Sequence, residues 1–141
     1  MVESIGIVRD ADNSAHSALQ SVQSSLRNLG LPAPTVFRES AGTLPKVSIF
    51  VMPDNEHAGA LEQLCLQALV DDPVMPCVAG FLQCVERVLT RPPENPAKAQ
   101  IHAFLASRED PELRLGEAAQ RGYIPWAHPA FAGLGQFLQN L

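Results

Sequence analysis

Two aspartates stand two residues apart directly after a short apolar segment near the start of the chain. Ile5–Val8 is followed by Arg9, and Asp10 and Asp12 come next. Acids at positions i and i+2 of a turn can both face one ion, and hard cations such as Mg²⁺ or Mn²⁺ take carboxylate oxygens as ligands. The spacing therefore predicts a paired-carboxylate site for a divalent metal ion.

A second acidic turn follows the strongest strand pattern in the sequence. Val47–Met52 is rich in β-branched residues, and Pro53 ends it just before Asp54. Glu62 falls in the first turns of the helix predicted next, at about 59–70. Because ligands of open α/β sheets bind beyond the carboxyl ends of the strands, we expect Asp54 and Glu62 to help hold this ion or a second one.

The same polar residues also suit an ordinary helix start. Asp12, Asn13 and Ser14 are all residue types that cap helices and form turns, so capping and metal binding both remain open for them. A calcium loop of the EF-hand type is excluded, because Ala15 stands where the loop needs glycine and Ser21 where it needs glutamate.

The order of predicted elements indicates an α/β fold. Apolar residues recur at helical spacing after Ser14, at Ala15, Leu19, Val22, Leu26 and Leu29. Residues 35–38 are predicted as a short strand and 39–45 as a loop, and most of the chain after Met52 has helical periodicity. A strand–helix–strand–helix order predicts one domain over residues 1–141, with a mostly parallel sheet flanked by helices and a helical C-terminal half.

Composition favours a globular protein and limits its partners. Hydrophobic residues make up 46% of the 141 residues and charged residues 18%, and the net charge of −5 gives no general attraction for nucleic acid. No apolar run reaches the roughly 20 residues that span a bilayer, and no signal peptide is visible, so we expect a cytoplasmic protein without membrane contact. The three cysteines are expected to be reduced core residues.

Several of these segments together resemble a bacterial family of unknown function with a Toprim-like core, akin to the nuclease part of the OLD proteins. The resemblance covers nearly the whole chain and rests on the stretches Gly6–Asp12, Met52–Asn55, Gly59–Glu62, Lys98–Ser107, Leu115–Ala119 and Phe131–Leu141. The resemblance implies a Toprim-like fold with a Rossmann-like sheet. It also implies that the protein binds magnesium and acts on nucleic acid or a nucleotide as a nuclease-type hydrolase.

The resemblance assigns roles to individual residues. The family's Asp-x-Asp maps onto Asp10 and Asp12, but the catalytic glutamate does not map, since this chain starts without the strand–helix unit that carries it. Glu62 is the residue expected to replace that glutamate, and Lys98 would stabilise negative charge near the scissile phosphate. A sheet without its usual first strand exposes an edge, through which we expect a homo-oligomer.

Two other interpretations remain open. A non-catalytic interaction domain would keep the fold and lose the chemistry, as a truncated remnant of the enzyme. A phosphatase of the haloacid-dehalogenase type would use Asp10 as nucleophile and Asp12 as acid. That family has threonine or valine where this chain has Ser14, which weakens the phosphatase interpretation.

Overall fold

The computed structural model describes residues 2–141 and has an α/β fold in which every element after residue 52 is helical. No helix in that range is long and apolar enough to cross a membrane. The strands are β1 (Ser4–Asp10), β2 (Ser40–Ala41) and β3 (Lys46–Met52). The helices are α1 (Ala15–Asn28), α2 (Leu61–Ala68), α3 (Met75–Leu89), α4 (Pro96–Ala106), α5 (Leu115–Gln120) and α6 (Ala132–Gln139), with a 3-10 helix at Pro129–Phe131.

The chain divides into two compact units. The first, described from residue 2, runs to Leu61 and also includes Phe131–Leu141, so it contains the sheet, α1 and α6. The second is Glu62–Ala130 and contains α3, α4 and α5. Helix α2 begins at the boundary. That all 141 residues act as one domain remains a prediction.

The sheet is small and mixed, so the expectation of a mostly parallel, Rossmann-like sheet is wrong. Its order is β1–β3–β2. β1 and β3 are parallel, with Asp10 opposite Met52, whereas β2 is antiparallel to β3. The strand β1 lies at the edge, and none of the described strands pairs with its other side. Pairing of that edge with another chain remains a prediction.

The antiparallel strand comes from the segment that the sequence predicts as a loop. A short connection between β2 and β3 reverses the chain, with Gly42 at φ +76°, and a short reversal of this kind joins antiparallel strands. The Ser40 and Ser48 hydroxyls hydrogen-bond at 2.8 Å across the pair. The strand predicted at residues 35–38 is wrong, because this segment forms bends and a turn and Arg38 takes a left-handed φ of 66°.

Helices cover both faces of the central strand in the first unit. One core cluster joins α1 to the sheet through Leu19, Leu26, Val47 and Val51, all of which are buried. On the other face, the rings of Phe50 and Phe137 lie 5.5 Å apart in a tilted pair, which brings α6 against β3. The strand ends that carry the acidic turns are thus fixed by packing on two sides.

The second unit has its own helical core. Helices α3 and α4 pack together, and α4 buries Ile101, Phe104 and Leu105 on one side. Asn95 caps α4 by accepting the backbone N–H of Lys98 at 3.0 Å. The guanidinium group of Arg108 lies 4.1 Å from the centre of the Phe104 ring.

Asn55 stabilises the turn that follows β3. Its side chain is buried, with 3% exposed, and its φ is 69°. Its Oδ1 accepts the backbone N–H of Val51 at 2.7 Å, and its own N–H donates to the Val51 carbonyl at 2.7 Å. The last residue of β3 that pairs with β2 is Ser48, so Asn55 supplies a partner to the strand beyond that point.

Replacing Asn55 should therefore separate two costs. In Asn55→Ala, a buried N–H loses its acceptor and a residue with a Cβ must keep a left-handed conformation, so the free energy of unfolding should fall by about 2–4 kcal/mol. Asn55→Gly also removes the acceptor, but glycine adopts the left-handed conformation without strain. The free energy of unfolding should therefore fall by about 1 kcal/mol less than in Asn55→Ala. Urea denaturation of both variants checks this. A loss under 0.5 kcal/mol in Asn55→Ala would contradict the assignment.

Candidate functional site

The two strand-end turns of the first unit are joined by a backbone bridge. The N–H of Ala11 donates to the Met52 carbonyl at 3.0 Å, which continues the β1–β3 ladder by one step. Asp12 and Gly59 then exchange two hydrogen bonds, each of 2.8 Å, as an isolated antiparallel bridge. This bridge fixes the Asp10–Asp12 turn to the far end of the turn that follows β3. Nothing in the sequence near Gly59 signals this pairing.

Asp10 lies at the end of β1 and is partly buried. Its Oδ1 accepts the backbone N–H of Leu61, the first residue of α2, at 3.1 Å. The first N–H groups of a helix have no partner within the helix, so this carboxylate satisfies one of them and is held in place by it. Asp10 therefore has a structural role at α2, which the sequence did not predict.

Asp12 differs from its neighbours because it takes no part in capping. Ser14 caps α1, with its hydroxyl accepting the N–H of Ser17 at 3.2 Å. Asp12 is exposed and has a φ of 51°, a conformation that aspartate tolerates better than most residues. No hydrogen-bond donor among residues 2–141 reaches its carboxylate. Of the two roles considered for these residues, capping and metal binding, Ser14 takes capping. The carboxylate of Asp12 is accessible to solvent.

The side chain of Asp54 accepts hydrogen bonds from residues of its own turn. Its Oδ1 accepts the backbone N–H groups of Glu56 and His57 at 3.0 and 2.9 Å, and its Oδ2 lies 2.7 Å from Nδ1 of His57. Burial favours the neutral acid, but the hydrogen bonds from His57 and Glu56 outweigh it, so the pKa of Asp54 lies below its ordinary value. The same hydrogen bond, in which Asp54 accepts from Nδ1–H of His57, raises the pKa of His57.

Glu62 and Lys98 belong to the second unit. Glu62 lies in the first turn of α2 and is partly buried, and Lys98 is an exposed residue in the first turn of α4. The structure thus brings Asp10, Asp12 and Asp54 into the first unit, while the catalytic and ligand roles of Glu62 and Lys98 stay predictions.

No group of three or more histidine, cysteine, aspartate or glutamate side chains within residues 2–141 is arranged to hold a metal ion. A cation at this edge would be held by the carboxylates of Asp10 and Asp12, with water completing its coordination shell. Mg²⁺ suits such a site, because it keeps several water molecules and often binds through one or two carboxylates.

The cysteines depart from the sequence expectation. Cys65 is a core residue, and burial raises the pKa of its thiol to about 11, with a smaller contribution from the charge of Glu62. Cys77 and Cys84 are exposed on α3, so the prediction that all three cysteines lie in the core is wrong. Sequence hydrophobicity alone does not distinguish a buried apolar face from an exposed one.

The Asp54–His57 pair should make stability depend on pH. Because the folded-state pKa of His57 is raised, its contribution is complete below the ordinary value of 6.5 and disappears as pH rises through the raised value. Asp54 has a lowered pKa, so its contribution is complete above 3.8 and disappears at lower pH. His57→Ala should therefore destabilise the protein at pH 5.5 more than at pH 8.5.

Urea midpoints at both pH values measure this difference, and His102→Ala is the control because His102 is also exposed. The effect should be small, since both partners of the pair contact solvent. An equal or larger loss at pH 8.5 for His57→Ala would show that the pair does not form.

Comparison with known protein families gives a match over the whole chain. The family model for a protein of unknown function, DUF3226, matches residues 1–141. No curated protein and no solved structure is significantly similar to the chain. Since the match spans the entire sequence, the chain belongs to the DUF3226 family of proteins of unknown function.

Proposed function

We propose that the strand-end edge of the first unit binds one divalent cation, Mg²⁺ or Mn²⁺, through the carboxylates of Asp10 and Asp12. The observation that carries the proposal is the bridge between Asp12 and Gly59, which holds the accessible Asp12 carboxylate in the same short turn as Asp10. Two carboxylates that come close in one turn would repel each other, and a cation between them would relieve that repulsion.

The donor set favours a hard cation bound weakly. Both proposed ligands are carboxylates, and neither histidine nor cysteine stands in the Asp10–Asp12 turn. Asp54 accepts three hydrogen bonds within its own turn, and its role as a ligand, like that of Glu62, stays a prediction. A site with two protein ligands leaves the remaining positions to water or to phosphate oxygens.

The chemistry that fits such a site is phosphodiester cleavage of the Toprim type. A bound Mg²⁺ would neutralise charge on a phosphate, which a chain with a net charge of −5 does not attract unaided. In this proposal Asp10 and Asp12 hold the ion, Glu62 moves a proton, and Lys98 stabilises negative charge on the phosphate. The support for Lys98 is the sequence resemblance to Toprim-like proteins, and the support for Glu62 is its position in the first turn of the helix that follows the second acidic turn.

A second candidate is an interaction domain that keeps the fold without the chemistry. The observation that favours it is that Asp10 and Asp54 both accept backbone N–H groups, as carboxylates in purely structural turns do. In this alternative the acidic residues shape the two turns, and no cation is needed. The two candidates differ in what charge removal does to metal affinity.

Neutral substitutions at Asp10 should separate metal binding from structure. Asp10→Asn keeps an oxygen that accepts the Leu61 N–H, so stability should stay within about 0.5 kcal/mol of wild type while Mg²⁺ affinity falls at least tenfold. Asp10→Ala should lose the same affinity and about 1 kcal/mol of stability. Calorimetric titration with Mg²⁺ and Mn²⁺, paired with urea denaturation, measures both quantities.

Asp12→Asn is the matching change at the second ligand, because asparagine tolerates the left-handed backbone at least as well as aspartate. It should lower metal affinity as much as Asp10→Asn, with unchanged stability. Glu39→Gln, an exposed acid elsewhere in the first unit, serves as the control. Wild-type affinity in both Asp→Asn variants would exclude the site and favour the interaction domain.

Catalysis is tested by nicking of supercoiled plasmid with Mn²⁺. Toprim-type cleavage predicts that Glu62→Gln, which keeps the shape and removes the charge, lowers the rate at least a hundredfold. Lys98→Ala should slow nicking about tenfold or more. Glu86→Gln, an exposed acid on α3, should have no effect. Nicking that persists in Asp10→Asn would contradict the mechanism, and its absence in wild type would favour the interaction domain.

A further inference from the structure

Helix α3 is apolar but leaves most of its apolar surface uncovered. Of its 15 residues only Val78 is buried. Phe81 is 59% exposed and Val88 is 73% exposed, and Cys77 and Cys84 are also exposed. Contiguous apolar surface of this kind on a soluble helix marks an interaction site.

These exposed residues and half-buried Val74, which directly precedes α3, form one stripe with a regular spacing. Val74, Cys77, Phe81, Cys84 and Val88 follow one another at intervals of three, four, three and four residues. This is the 3.5-residue repeat of a coiled-coil seam, which keeps such a stripe facing a partner helix along its length. We name these five residues the α3 seam.

A groove runs beside the seam between α3 and α4. It has a volume of about 280 Å³. Its lining is Cys77, Val78 and Phe81 of α3 with Val74 just before that helix, and Ala103 and Ala106 of α4 with Ser107 just after it. The short side chains of α4 leave room for a large side chain to enter from outside. The groove has the apolar lining and the position of a hole for a knob from a second helix.

Charges at the two ends of α3 indicate what the second helix is. Exposed Asp71 precedes the helix, and exposed Arg87 and Arg91 stand in its last turn and just beyond it. No salt bridge of Asp71, Arg87 or Arg91 is found within residues 2–141. A helix with an acidic start and a basic end is complementary to a copy of itself in the opposite direction, because each end then meets its opposite charge.

We propose that α3 pairs with α3 of a second copy of this chain in antiparallel orientation, with the α3 seam as the contact. The two-fold axis would cross the α3 seam midway between Cys77 and Phe81. In this register Cys77 faces Phe81 of the partner subunit, and Val74 faces Cys84 of the partner subunit. Phe81 of each copy enters the groove of the other.

The register determines the kind of dimer to expect. An interface with two-fold symmetry is self-complementary, so the contact between Cys77 and Phe81 and the contact between Val74 and Cys84 each occur twice. No cysteine faces a cysteine, so association needs no disulfide and should persist under reducing conditions. One pair of short helices buries less than the roughly 800 Å² per partner of a standard interface, so the dimer should dissociate on dilution.

Sedimentation of the full chain in reducing buffer over a wide concentration range tests the proposal. Wild type should change from monomer to dimer as concentration rises, and Phe81→Glu should remain monomeric with an unchanged circular dichroism spectrum. Gln83→Glu adds the same charge to α3 away from the seam and should dimerise as wild type does. A wild type that stays monomeric at the highest concentration, or a Phe81→Glu variant that still dimerises, would overturn the proposal.

Charge reversal tests the orientation without touching the seam. Arg87→Glu should weaken the dimer at least fivefold, and Asp71→Arg in the same chain should restore it, because the opposite charges then meet again. Failure of the second change to restore the dimer would overturn the antiparallel arrangement. Val8→Lys alters the exposed side of β1 and should leave the dimer intact. Loss of the dimer in Val8→Lys would assign the contact to the sheet edge instead.

Discussion

The backbone bridge between Asp12 and Gly59 connects the two turns on which the candidate site depends. Parallel pairing of β1 with β3 brings both strand ends to one edge, and the bridge then fixes the turn after β1 to the turn after β3. Packing from α1 and α6 holds the strands themselves. Because the bridge uses only main-chain atoms, it leaves the side chain of Asp12 accessible.

The acidic residues near this edge have different physical roles. Asp54 accepts three hydrogen bonds within its own turn, and Asp10 accepts the first N–H of α2. A carboxylate that accepts a backbone N–H still has lone pairs for a cation, so the hydrogen bond at Asp10 positions this ligand without excluding metal. The proposed cation site therefore depends on Asp10 and Asp12, which share one turn.

Local sequence patterns predicted the elements that local physics controls. β1, β3 and α1 were predictable because β-branched runs, a capping serine and helical periodicity act within a few residues. β2 was missed because its two residues gain their strand geometry only from pairing with β3. The Asp12–Gly59 bridge and the exposure of α3 were also out of reach, since they depend on which segments meet in space. The same apolar periodicity is found in a helix buried in the core and in a helix whose apolar face is exposed.

The central claim is that Asp10 and Asp12 hold a divalent cation, and paramagnetic broadening by Mn²⁺ in an amide spectrum of the labelled protein tests it most directly. Substoichiometric Mn²⁺ should first broaden the signals of Asp10, Ala11 and Asp12 and those of Gly59–Leu61, which the backbone bridge and the Asp10 hydrogen bond hold beside them. Asp12→Asn should abolish the selectivity. Broadening that is absent, or that centres on Asp71 and Asp72 instead, would contradict the claim.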